Sequence, residues 1–386
     1  MKKFLSIRFT STPLPAVLVA TFTSGFAFGV ALPIASVILE ERSVATPLIG
    51  LTATIVFVGW ALGSPFAGRM IELHGVRRTL FSAMFIAGCC MVGHGLIRSL
   101  PFWFFVRLFI GCASAAIFTA CETLINRIGT NANRGMYLGL YACAFSASLM
   151  VGPAGLWLLQ FGTWLPFLVS GIFCCCAAFV VRPFIPQSHE PAPEATLDLS
   201  FVRRIALSLT AMLMAGFLEG ALISLIPVYA LRRGFGEAQA AMLMSSFMIG
   251  HGCMPPLMGL VSDRIGLRSG LLVTYGLGSV SFVMLIFIPG SIWIAGMLFI
   301  GGAAVGALYP LAIGLLATAL SSSELPRGNA LTAFCYGIGS IIGPFIPSLI
   351  MHVTVPHTLF AVAAVLYLGA FIIMQWNTKQ APAPRS

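Results

Sequence analysis

Residues 211–230 read AMLMAGFLEGALISLIPVYA, a run of twenty residues with one charge, Glu219. The nearest charges in sequence are Arg204, fifteen residues before it, and Arg232, thirteen after it. A helix crosses a bilayer with about 20 predominantly apolar residues, because hydrocarbon forces each backbone N–H and C=O to pair within the segment. This stretch meets that length, and Glu219 falls close to its centre. An unpaired charge at that depth costs at least ~2.5 kcal/mol, so an ionisable group placed there is read as functional, paired or protonated.

The rest of the chain repeats the pattern. Of 386 residues, 59% are hydrophobic and 8% charged, against roughly 45–50% and 25% in soluble domains. This composition gives an all-α integral membrane protein and excludes a soluble catalytic domain. Twelve spanning runs are predicted, at about 14–37, 48–70, 79–98, 101–125, 136–158, 164–183, 206–230, 238–260, 269–289, 291–319, 329–350 and 357–376. A porin-like barrel is excluded, since its strands are short and alternating. The first run is too long for a cleavable signal segment and is taken as a retained helix. All ten cysteines fall inside predicted helices without CxxC or His-flanked spacing, so no metal is expected.

The net charge of +10 follows the bilayer rather than nucleic acid. With the N-terminus inside, sixteen Lys and Arg residues fall in cytoplasmic segments, and four, Arg42, Arg98, Arg232 and Arg233, fall in outer loops. That is the positive-inside bias, and it places both termini in the cytoplasm.

The chain is also duplicated. Residues 1–184 and 203–386 form two six-helix halves joined by a polar, Pro-rich linker at 185–202. GFAFG at Gly25–Gly29 matches GFLEG at Gly216–Gly220, an offset of 191. Gly59 and Pro65 match Gly250 and Pro256, and Gly152-Pro153 matches Gly343-Pro344, at the same offset. LFIG at 108–111 recurs at 298–301, at an offset of 190 that implies a small indel. A parallel repeat of six-helix halves is a transporter architecture, with substrate handled near the midplane.

The loop after the eighth run reads GLVSDRIGLRS and carries Gly259, Asp263, Arg264, Gly266 and Arg268 in the spacing G-x-x-x-D-R-x-G-x-R. On this motif the chain resembles the major facilitator superfamily over nearly its whole length. GRMIELHGVRR after the second run is a degenerate copy, with Gly68, Glu72, Gly75, Arg77 and Arg78 in place and Leu73 where an arginine is expected. The resemblance implies two six-helix bundles related by a pseudo-two-fold axis and transport by alternating access. It also implies gating by Glu72, Arg77, Arg78, Asp263, Arg264 and Arg268. Their positions at helix ends suit meeting arginines and helix N-termini in one closed state.

Several further residues are candidates for the transport chemistry. Arg107 lies within the fourth run, and its spacing to Gly111 is similar to a family motif whose arginine handles substrate or protons. Glu122, fifteen residues on and near the inner end, is expected to pair with Arg77, Arg78 or Arg134 in a gate. Glu219 is the candidate proton carrier. His251 comes out at a matching depth on the neighbouring antiparallel run, so Glu219 is expected either to be protonated or to pair with His251 or Arg107. Phe28, Trp60, Tyr141, Tyr309 and Tyr336 are candidate cavity-lining residues, suited to a flat or amphipathic solute. Gly152, Pro153, Gly343 and Pro344 are candidate hinges, because proline interrupts the helical ladder and glycine permits close packing.

The expected activity is secondary active transport of a small organic solute, with the proton as coupling ion and the lipid bilayer as surroundings. The protein is expected to act as a monomer in a bacterial inner membrane. No G-x-x-x-x-G-K-[ST] loop implies an ATP-driven step, and neither a cofactor nor an enzyme-type constellation is expected. An uptake symporter and a drug or metabolite efflux antiporter fit equally. A lipid flippase, or a non-transporting receptor on the same fold, would also suit this sequence.

Overall fold

The computed structural model describes residues 13–129, 134–188, 199–321 and 324–380, and among these there is helix but no strand. The first half contains α1 (Leu14–Glu41), α2 (Thr46–His74), α3 (Val76–Leu96), α4 (Leu100–Ile128), α5 (Arg134–Val151) and α6 (Leu165–Val181). After a short α7 (Leu199–Arg204) come α8 (Ala206–Arg232), α9 (Glu237–Ile265), α10 (Leu267–Phe287), α11 (Ser291–Ala319), α12 (Leu325–Val353) and α13 (Thr358–Gln380). Eleven helical segments among the described residues are long and apolar enough to cross a membrane. The twelfth helix of membrane length is α9. Ser245, Ser246, His251, Pro255 and Pro256 in its middle make it less apolar than the others.

The break in the fifth segment has a local cause. α5 stops at Val151 and continues as a tighter 3-10 turn from Gly152 to Phe161. Pro153 has no N–H to donate back along the helix, which ends the regular ladder there. Gly343-Pro344, at the matching place, stays inside a continuous α12.

Packing divides the chain into two compact units. The first holds residues 1–35 and 55–194, and the second holds 36–54 and 195–386. Of the linker expected at 185–202, residues 189–198 lie outside the described set. In the first unit a buried core gathers Val17, Ile71, Leu80, Ile117, Ile125 and Val181. In the second, α9 lies along α11 and α8 along α12.

Lipid tails are as apolar as the side chains, so close packing through small residues holds such helices together. A methyl group added at Gly343 would strike the Phe217 carbonyl oxygen, and one at Gly216 the Tyr336 carbonyl oxygen. In the first unit Gly29 and Gly152 touch backbone to backbone, with a Cβ on Gly29 reaching the Gly152 Cα at 3.0 Å.

Residues 36–54, the end of α1 and the start of α2, are fastened within the second unit. Arg232 at the end of α8 is the fastener. Its Nε donates to Glu40 Oε1 at 2.7 Å, its Nη1 to the Met351 carbonyl at 3.3 Å, and its Nη2 to the Thr46 hydroxyl. Further along α2, the Thr54 hydroxyl donates to the Ile341 carbonyl at 2.9 Å.

The helix contacts also correct the register of the repeat. A Cβ on Gly111 would meet the Val56 carbonyl oxygen and the Trp60 nitrogen. One on Gly302 would meet the Phe247 carbonyl oxygen and the His251 nitrogen. Each of these residues is 191 from its counterpart, so Gly111 corresponds to Gly302 rather than Gly301. Gly301 faces Ser281 and Phe282 instead. The adjacent glycines 301 and 302 let a comparison of letters slip by one place, and no indel is needed.

Candidate functional site

The corrected register gathers the candidate residues into two matching sets of four. In the second unit they are Glu219 on α8, His251 on α9, Tyr309 on α11 and Tyr336 on α12. The Glu219 carboxylate and the His251 imidazole stand 3.6 Å apart (Oε2 to Nε2), with side chains 14% and 11% exposed. Of the alternatives expected for Glu219, the approach to His251 is present, at ion-pair range rather than as a tight hydrogen bond. The Tyr336 hydroxyl faces the same carboxylate within hydrogen-bonding reach. Tyr309 meets Tyr336 edge to face, with ring centroids 6.1 Å apart and an interplanar angle of 89°. Tyr309 is 50% exposed.

The backbone explains why these side chains converge. Gly302 and Gly306 let α11 rest directly on the α9 backbone at His251, while Gly216 and Gly220 bring α8 onto α12 beside Tyr336 and Ser340. The Ser340 hydroxyl donates to the Tyr336 carbonyl at 2.9 Å, which fixes that turn. His251 Nδ1 is buried without a hydrogen-bond partner among the described residues.

Subtracting the offset gives Phe28, Trp60, Phe118 and Phe145 in the first unit. The contacts recur. Phe28 meets Trp60 at 5.7 Å, as Glu219 meets His251. Phe118 meets Phe145 edge to face at 5.1 Å and 88°, as Tyr309 meets Tyr336. Trp60 stacks on Phe118 at 4.8 Å, and Tyr141 approaches Phe118 at 6.2 Å. One geometry thus carries four apolar rings in one unit and an acid, an imidazole and two phenols in the other. Sequence reading missed Phe118 and Phe145; strict use of the 191 offset on Tyr309 and Tyr336 finds both.

Arg107 is fully buried in the first unit, and its Nη2 donates to the Ala31 carbonyl of α1 at 2.7 Å. Glu122 is exposed, and its partner is the Tyr141 hydroxyl. Arg77, expected near Glu122, instead donates from Nε to the Ile185 carbonyl at 2.5 Å. Glu72, Arg78, Arg264 and Arg268 are exposed. The side chains of Arg134 and Asp263 lie outside the described residues.

The Arg232 fastening and a second ion pair, Arg204 with Glu324, were not anticipated from sequence. The hydrogen bond from Arg204, aided by Ser321, holds the Glu324 carboxyl at about 2, below the usual carboxylate range. Among the described residues no group of three or more His, Cys, Asp or Glu side chains is placed to hold a metal.

The chain resembles known proteins in sequence and in fold. The chain is 31% identical over 331 residues to the uncharacterized MFS-type transporter YfkF of Bacillus subtilis, covering 83% of this chain and 84% of that one. It is 28% identical over 364 residues to the MFS-type transporter YE1530 of Yersinia enterocolitica, covering 90% and 91%. Among solved structures, the nucleoside transporter NupG superimposes with a TM-score of 0.77 at 10% identity, covering 95% of this chain and 99% of that one. A bacterial homologue of the lysosomal transporter Spinster does so with a TM-score of 0.74 at 15% identity, covering 97% and 98%. At those identities the likeness is one of fold. The sequence profile of the Major Facilitator Superfamily matches residues 17–241 and 208–386. With two sets of helices repeating at one offset and a profile match along nearly the whole chain, this protein belongs to the Major Facilitator Superfamily of membrane transporters.

Proposed function

We propose that the protein is a proton-coupled secondary transporter of a small organic solute, with Glu219 as the group that loads and releases the proton. The observation that carries this reading is the second unit's quartet. A nearly buried carboxylate stands 3.6 Å from an imidazole and faces a phenol, at positions occupied in the first unit by rings that cannot titrate. Protonation of Glu219 removes the negative charge that faces His251 and Tyr336. That local change can bias an equilibrium between two arrangements of a transporter. Coupling then needs only that solute bind the two protonation states with different affinity.

The same reading sets the protein as a monomer in a bacterial inner membrane with both termini cytoplasmic, and assigns Asp263, Arg264 and Arg268 to gating. The test uses purified protein in proteoliposomes, a panel of organic solutes and an imposed pH gradient, with uptake and efflux both measured. Glu219→Gln keeps the shape and the hydrogen bonds but cannot titrate. It should abolish accumulation against a gradient while preserving exchange down one. A glutamine variant that still concentrates solute, with unchanged pH dependence, removes Glu219 from the mechanism.

A further inference from the structure

We propose that the first unit's quartet is a subsite for a planar aromatic ring that carries a hydrogen-bond acceptor, with Trp60 as the residue that sets this preference. The inference rests on the transporter reading above and adds the chemistry of the ring-bearing part of the solute.

The four rings and the neighbouring Tyr141 do not all serve as packing. Phe28 and Phe118 are 5% and 8% exposed and form a wall. Trp60, Phe145 and Tyr141 are only partly buried. Trp60 stacks on Phe118 with an interplanar angle of 26° and is met edge-on by Phe28 at 63°, so its plane is fixed before any ligand arrives. A rigid aromatic anchor loses little conformational entropy on binding, and ring pairs prefer these offset and edge-to-face arrangements. The Trp60 indole N–H is engaged by none of the described residues, and an indole nitrogen in a partly buried setting normally finds an acceptor. A ligand carbonyl or ring nitrogen held over these rings would supply one.

Position within the repeat is the second, independent observation. Trp60 is the counterpart of His251, Phe28 of Glu219, Phe118 of Tyr309 and Phe145 of Tyr336. If the polar set handles the proton, the apolar set on the same scaffold has no titratable atom with which to do so. Recognition of the part of a solute that carries no charge is the chemistry left to it.

The test measures equilibrium binding of two neutral amide pairs to the protein in nanodiscs, corrected for partition into protein-free discs. The pairs are 2-naphthamide with decahydro-2-naphthamide, and benzamide with cyclohexanecarboxamide. Wild type should bind each planar amide about tenfold more tightly than its saturated partner. Trp60→Leu should erase that ratio and Trp60→Phe should keep part of it. Trp103→Phe should leave it intact, because Trp103 is buried with its N–H given to the Ile97 carbonyl at 2.8 Å. Equal binding within both pairs, absence of binding, or a ratio that survives Trp60→Leu overturns the proposal. The Glu219→Gln assay reads pH coupling and not ring preference, so the two readings fail separately.

Discussion

At the scale of single residues, the acid–imidazole pair was legible because helix rise converts sequence distance into depth. Counting along two antiparallel neighbours put Glu219 and His251 at one level. The phenols around them were recognised as candidates but not as partners: the doubled glycine at 301–302 hides the register of α11 for Tyr309, and the approach of α12 to α8 that places Tyr336 is a tertiary contact. Tyr336→Phe tests the partnership. It removes a hydroxyl facing a nearly buried carboxylate, an interaction worth roughly 1–3 kcal/mol, and should displace the pH profile of transport while the protein stays folded. An unmoved profile would make Tyr336 a packing residue. Glu324 behaves differently. Its carboxyl is held at about 2 by Arg204. The contact's contribution is therefore complete above the ordinary value of 4.5, and is lost only as pH falls through about 2. Glu324→Gln should leave the pH dependence of transport between pH 5 and 8 as it is in the wild type. A change within that window would show this ion pair to be a switch.

Between helices, glycines decide how near two backbones come. Gly343 and Gly337 lie on the same helix and provide a matched comparison. A methyl at Gly343 meets the Phe217 carbonyl oxygen, whereas one at Gly337 meets nothing within 4 Å. Gly343→Ala should destabilise by about 1–3 kcal/mol through overpacking against backbone that cannot yield. Gly337→Ala should be neutral or slightly stabilising, since alanine is the better helix former. Thermal unfolding in detergent reads both, and equal midpoints would refute the close contact. Arg232 is the other determinant at this scale. Lysine cannot reproduce a planar fork that reaches Glu40, Thr46 and the Met351 carbonyl together, so Arg232→Lys should loosen the α1–α2 connection. Faster proteolysis or hydrogen exchange at residues 36–54 would report that loosening. Sequence alone could not reveal this fastening, because Glu40 and Arg232 lie 192 residues apart.

For the whole molecule, hydropathy gave the helices and the offset of 191 gave the duplication, since both are written in periodic order along the chain. Which turns of one helix touch which turns of another is a tertiary fact, and there the letters gave the right helices with one slip of a residue. Charge placement predicts an orientation with both termini cytoplasmic. A reporter fused after Asp198 should be active on the cytoplasmic side, and activity only on the outer side would reverse the layout.

The modest apolarity of α9 has a consequence for how the protein is made. A nascent segment leaves the translocon for lipid according to its own transfer free energy, and the histidine, serines and prolines of α9 weigh against that step. α8 has just entered, is apolar apart from Glu219 over residues 211–230, and is the helix that carries the partner of His251. Insertion of α9 should therefore depend on α8 being present. The same polar side chain proposed to serve transport would make its helix reliant on a neighbour during biosynthesis. Glycosylation mapping of α9 alone and in tandem with α8 would show poor insertion in the first case and efficient insertion in the second.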